Sequence, residues 1–170
     1  MEFIKDIIIP GIAVILSIVS IIISKRSELL SRGEIEFNIA TLIRDAQYRV
    51  SDVGVMLAKY KSEVMKSMEE DNLTPEELEE KLEERLEKDN EYKVLETSFN
   101  QSIEIMLNAY EESCAKYLDK KVDQERFKRS YHRSIREIVE REDLEEEFNS
   151  HTTPYKCILK VYNKWYNLEV

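Results

Sequence analysis

Residues 7–23 (IIIPGIAVILSIVSIII) carry no charge, and this run lies between Lys5-Asp6 and Ser24-Lys25-Arg26. As one helix it would extend about 25 Å, at the short end of what crosses a hydrocarbon core of roughly 30 Å, and Phe3 and Ile4 are available to lengthen it. A cleaved leader fits less well. Its basic region would hold only Lys5 against Glu2 and Asp6, and Ile22-Ile23-Ser24 lacks the small-x-small cleavage pattern. A core helix in a domain of this size has no use for apolar residues on every side. The run therefore predicts a single-pass transmembrane anchor over residues 1–26. Lys25, Arg26 and Arg32 follow it, against Lys5 before it, so residues 27–170 are expected on the cytoplasmic side of a cell inner membrane. Within the run, Ala13, Ser17, Ser20 and Ser24 recur at steps of 4, 3 and 4, a small-residue stripe that a second helix can approach closely.

Beyond the anchor the pattern is helical throughout. With 3 Gly and 3 Pro in 170 residues there is little material for tight β-turns, so the expected class is all-α, the transmembrane helix continuing into a long heptad helix packed in an antiparallel bundle. The heptad seam is Ile39, Ile43, Ala46, Val50, Val53, Leu57, Tyr60 and Val64, at alternating steps of 4 and 3, on a helix expected over 31–70. Thr74-Pro75-Glu76-Glu77 reads as a capping box with proline at the first helical position, and Leu73 with Leu78 as its hydrophobic staple. The acidic helix it opens, about 75–88, has Leu78, Leu82 and Leu86 as one thin stripe and is expected to project or to dock only lightly. Asp89-Asn90 restarts the chain into a wide apolar face from Val94 to Leu118, the expected central helix. Asp123 caps the next helix, with Val122 stapled to Phe127, and that helix is expected to run until Asn149–Thr153 breaks it. Thr153-Pro154 then starts a last helix striped by Tyr155, Ile158, Leu159, Tyr162, Trp165 and Leu168. Both the seam and the small-residue stripe suit a homodimer or higher homo-oligomer.

Several function classes are disfavoured. The net charge is −10, and residues 69–91 hold 12 Asp and Glu against 3 Lys and Arg, which leaves no basic face for nucleic acid. This acidic run reads as a solvated face, with a basic partner as the alternative. Cys114 and Cys157 fall on apolar stripes and suit a reducing compartment. Glu147 and His151 stand at i, i+4 at a fraying helix end, and two ligands alone seldom hold a metal. Gly11, Gly33 and Gly54 form no phosphate loop. No cofactor, no metal and no enzymatic activity are expected. The aromatics Tyr155, Tyr162, Trp165 and Tyr166 crowd the C-terminal segment, where they read first as core and otherwise as a docking surface.

The residues Leu107-Asn108-Ala109-Tyr110-Glu111-Glu112, Cys114, Leu118-Asp119, Phe127, Tyr131 and 158–165 give the chain a resemblance to small uncharacterised bacterial proteins of the domain-of-unknown-function type. Those proteins carry one N-terminal span and a helical cytoplasmic domain, and are seen near prophages and mobile elements. The resemblance covers the anchor and the C-terminal part of the chain. It implies a bacterial inner-membrane setting and a role in conflict with phage, and assigns no catalytic residue. The expected function is a membrane-anchored helical interaction protein, a sensor, adaptor or regulatory subunit of a membrane-associated assembly with an unknown cytoplasmic or membrane protein as partner. The alternative is a small oligomerising effector that perturbs the bilayer.

Overall fold

The computed structural model describes residues 2–68, 74–149 and 152–166, with the backbone alone for 2–15, 75 and 76. All of its regular elements are helical: α1 (Glu2–Lys66), α2 (Pro75–Lys88), α3 (Asn90–Leu118), α4 (Gln124–Val139) and α5 (Lys156–Tyr166), with two 3₁₀ turns, Glu142–Leu144 and Glu146–Phe148, before the last helix. The five helices pack against each other.

α1 is a single helix of 65 residues, roughly 100 Å long, so apolar run and heptad seam share one continuous rod. Among the described residues no helix is long and apolar enough to cross a membrane. Residues 7–15, the first half of the apolar run, have no described side chains, so much of the anchor expected over 1–26, Ala13 included, lies outside this description.

α3 is the hub, touching each of the other four helices. It runs antiparallel to α1, because Tyr60 donates to Asp89 at 2.7 Å, Gln47 to Tyr110 at 2.9 Å, and the amide of Asp123, just past α3, to Glu36 at 2.8 Å. Most of the heptad seam is spent on this pairing, and Val53, half-buried, belongs to neither core cluster. Ile39, Ile43 and Ala46 enter the main core with Leu107, Tyr110, Cys114, Ile135, Ile158 and Val161, and Val50 packs against it. Val64 joins a second, distal cluster with Met68, Leu86 and Tyr92, flanked by Leu57 and Tyr60. A dimer through this seam would have to displace α3, so the surface expected to pair two copies is already covered within one chain.

Gly54 explains how closely the two rods approach, since a Cβ there would stand 3.2 Å from Cε2 of Phe99. Gly33 has no such role: nothing lies within 4 Å of its hypothetical Cβ. Gly33→Ala is therefore expected to stabilise the fold by about 0.5–1 kcal/mol through helix propensity alone, read as an upward shift in thermal midpoint.

Local capping follows the sequence closely. Thr74 Oγ1 accepts from the Glu77 amide and the Glu77 carboxylate accepts from the Thr74 amide, completing the box. Leu73, the other half of its staple, lies outside the described residues. Asp89 accepts from the amides of Glu91 and Tyr92 to start α3. The acidic helix docks: Leu86 is buried, Leu78 and Leu82 pack beside it, and Arg85 donates to Ser67 at 3.2 Å.

Two expectations need correction. α4 ends at Val139, about ten residues early, because the chain turns inward: Arg141 grips Asp143 through two 2.6 Å bonds, and the following 3₁₀ turns bury Leu144 and Phe148. α5 does not begin on a Thr153-Pro154 cap either. Thr153 Oγ1 accepts from the Tyr155 amide in a short turn, and the helix starts at Lys156.

Candidate interaction surface

What starts α5 is a carboxylate from another helix. Glu111 of α3 accepts from the Cys157 amide at 2.8 and 3.0 Å and from the Ile158 amide at 2.9 Å. The first amides of a helix have no partner within it and carry the positive end of its dipole, so an anionic acceptor fits there. Glu36 does the same for α4, accepting from the Asp123 amide and from Arg126 at 2.9 Å.

The C-terminal aromatics are committed internally. Tyr155 is buried against Phe148. Trp165 donates its indole N–H to the Tyr117 hydroxyl at 2.9 Å and meets that ring edge-on at 5.4 Å, while Phe127 stacks on Tyr117 at 5.2 Å. Tyr162 donates to Glu140 at 2.8 Å, and Tyr166 lies 4.9 Å from the Tyr162 ring with the Arg136 guanidinium over its face at 5.5 Å. These contacts seal α5 onto α3 and α4. Tyr155 is buried, whereas Tyr162, Trp165 and Tyr166 are each half-buried.

The surface that stands open is on α1, facing away from the bundle. Leu30, Phe37, Tyr48 and Val55 are 68%, 71%, 67% and 65% exposed. Their steps of 7, 11 and 7 residues make 25 residues in about seven turns, which keeps them in line on a straight α-helix. That line lies opposite the buried seam. At Phe37 the line borders a groove of about 340 Å³ between α1 and α4, lined by Gly33, Phe37 and Ala40 on one side and Phe127 and Tyr131 on the other, with Glu36 and Arg126 at its rim.

The small-residue stripe occupies a different flank. Ser17, Ser20 and Ser24 are exposed, and Ser20 and Ser24 continue through Ser27 and Ser31 into a groove closed on its far side by Lys120 and Lys121. This is the flank on which the α3–α4 turn sits. A second helix packed tightly along these serines would continue into that turn.

The turn itself is a Schellman motif. The Lys121 amide bonds to the Lys116 carbonyl and the Lys120 amide to that of Tyr117, both at 3.0 Å, with Lys120 at φ 58. Glycine is the usual residue at that left-handed position, and a lysine costs about 1 kcal/mol there.

Burial raises both thiols above the ordinary range, Cys157 to about 11 with Glu111 contributing, and Cys114 further. At neutral pH both are thiols, not thiolates. Among the described residues no group of three or more His, Cys, Asp and Glu is arranged to hold a metal ion. His151 lies outside them.

No protein-family model, curated protein or solved structure matches the chain.

Proposed function

We propose that the chain is a membrane-anchored helical interaction protein that self-associates in parallel along the outward face of α1, as the sensor, adaptor or regulatory part of a membrane-associated assembly. The observation that carries this is the line of Leu30, Phe37, Tyr48 and Val55, a set of large apolar side chains left open while Ile39, Ile43, Ala46 and Val64 of the heptad seam are buried. Large exposed apolar side chains that recur on one helix face at steps of 7, 11 and 7 suit contact with a second helix. Anchoring is supported by the charge-free run over residues 7–23 and by the exposure, 44% to 62%, of Leu16, Ile18, Val19, Ile21, Ile22 and Ile23. An anchor holds two copies parallel and at the same height, the alignment in which an outward stripe meets its own counterpart. A bacterial inner-membrane setting and a part in conflict with phage accord with the resemblance drawn from the sequence. An oligomerising bilayer effector is second to this, since the serine stripe it relies on shares its flank with the α3–α4 turn.

The test is cross-linking of the full chain in intact membranes. Tyr48→Cys is expected to give a disulfide-linked dimer on mild oxidation, above the level of the parent chain with its buried Cys114 and half-buried Cys157. Absence of that species at Tyr48→Cys and equally at Phe37→Cys would reject the contact. Recovery of the intact chain in the soluble fraction would reject the anchor.

A further inference from the structure

The α3–α4 turn lies at the anchor end of the molecule, and nothing in the contact proposed along the outward face of α1 uses it. The groove it closes runs from Ser20 to Ile35 of α1, so the ammonium groups of Lys120 and Lys121 stand beside the segment that leaves the apolar run. We propose that Lys120 and Lys121, together with Lys25, Arg26 and Arg32, form a docking surface for the headgroups of anionic phospholipids in the bilayer that carries the anchor. The inference rests on the anchored reading of residues 7–23 given above.

Charge pairing near the turn favours this. Several acidic residues around it are engaged: Glu28 with Arg32 at 2.7 Å, Asp119 with Lys121 at 2.9 Å, Glu36 with Arg126 at 2.9 Å, and Asp123 with the Arg126 amide at the start of α4, so Arg32 and Lys121 enter the surface as ion-paired cations, and Glu125 stands on the first turn of α4. Glu34 does not line the groove. Lys25, Arg26 and Lys120 have no ion-pair partner among the described residues, so this end of the molecule is close to neutral and keeps three cations open to an anion, on a chain of net charge −10. Most of the negative charge sits at the opposite end, on and around α2.

Distance allows it as well. If the hydrocarbon edge falls near Ser24, residues 27–31 lie about 5–10 Å beyond it, where the headgroup layer ends. Lysine side chains at that height are within the roughly 8 Å over which a charged surface is felt at physiological salt. Juxtamembrane clusters of about four to eight Lys and Arg are the pattern that anionic leaflets attract. Here the cluster is assembled from two places far apart in sequence, and the left-handed Lys120 keeps a cation where glycine would be the easier residue. The surface therefore turns the bundle toward the membrane and fixes its tilt on the anchor.

The full chain reconstituted in phosphatidylcholine vesicles, with or without about 30% phosphatidylglycerol, tests this by amine acylation read residue by residue. Labelling of Lys120 and Lys121 is expected to fall at least threefold in the anionic vesicles, to recover near 1 M salt, and to stay unchanged at the distal Lys59. Equal labelling of the turn lysines in both vesicles overturns the proposal. The Lys120→Gly, Lys121→Gln variant is expected to insert as the parent does and to melt at the same temperature or higher in neutral vesicles. It should lose the upward melting shift that anionic vesicles give the parent; retention of the shift overturns the proposal. A chain that a carbonate wash strips from neutral vesicles defeats the anchored reading itself, an outcome distinct from the other two.

Discussion

Glu111→Ala is expected to lower the free energy of unfolding by about 2–4 kcal/mol, the largest loss expected from removing a single polar side chain in the described structure. The two carboxylate oxygens satisfy the amides of Cys157 and Ile158, and Ile158 is fully buried. Loss of a helix cap ordinarily costs about 1 kcal/mol, and a buried amide left without an acceptor costs about 1–3 kcal/mol more. The bond is also charge-assisted and placed at the positive end of the α5 dipole. Glu111→Gln keeps one acceptor oxygen and should lose about half as much. Urea unfolding of the detergent-solubilised full chain, followed through Trp165 on α5, reads both variants. A Glu111→Ala chain within about 0.5 kcal/mol of the parent would mean that α5 is held by its apolar stripe alone.

Glu111 also marks the limit of what the sequence exposes. Thr74 with Glu77, Asp89 before α3 and Asp123 before α4 act within three residues of themselves, and each was legible because the signal and its effect share one turn of chain. Glu111 acts 46 residues away, and Glu36 accepts from an amide 87 residues away. In sequence both look like members of solvated helix faces, since no periodicity distinguishes a carboxylate that faces water from one that faces another helix's first amides. The early end of α4 was hidden for a similar reason: residues 140–149 are good helix formers, and only burial of Leu144 and Phe148 turns them into 3₁₀ turns. The seam from Ile39 to Val64 was plain, but its partner was not. A heptad pattern states that a face is buried without stating whether the opposing helix belongs to the same chain. The outward line of Leu30, Phe37, Tyr48 and Val55 is not apparent in the sequence because each member stands alone among polar neighbours, and it emerges only once α1 is one continuous helix and the seam is assigned to α3.

That line supports the second large effect. Phe37→Asp combined with Val55→Asp is expected to weaken self-association at least a hundredfold while leaving the fold intact. Burying one Phe or Val side chain contributes about 1.5–3 kcal/mol, so losing both from each copy exceeds the roughly 2.7 kcal/mol that a hundredfold change requires. Each introduced carboxylate would in addition be driven out of water beside its counterpart in the second copy. The fold should tolerate the change because both side chains are more than half exposed on the face away from the core. Ile43→Asp supplies the contrast: at 3% exposure in the main core it should unfold the chain instead of separating two copies. Sedimentation of the full chain in detergent distinguishes these cases, with melting measured on the same samples. A double variant that sediments as the parent does would remove the outward face from the contact. Ser17→Leu with Ser20→Leu then decides between flanks: if that pair alone separates the copies, association runs through the serine stripe, and the α3–α4 turn must move aside to admit it.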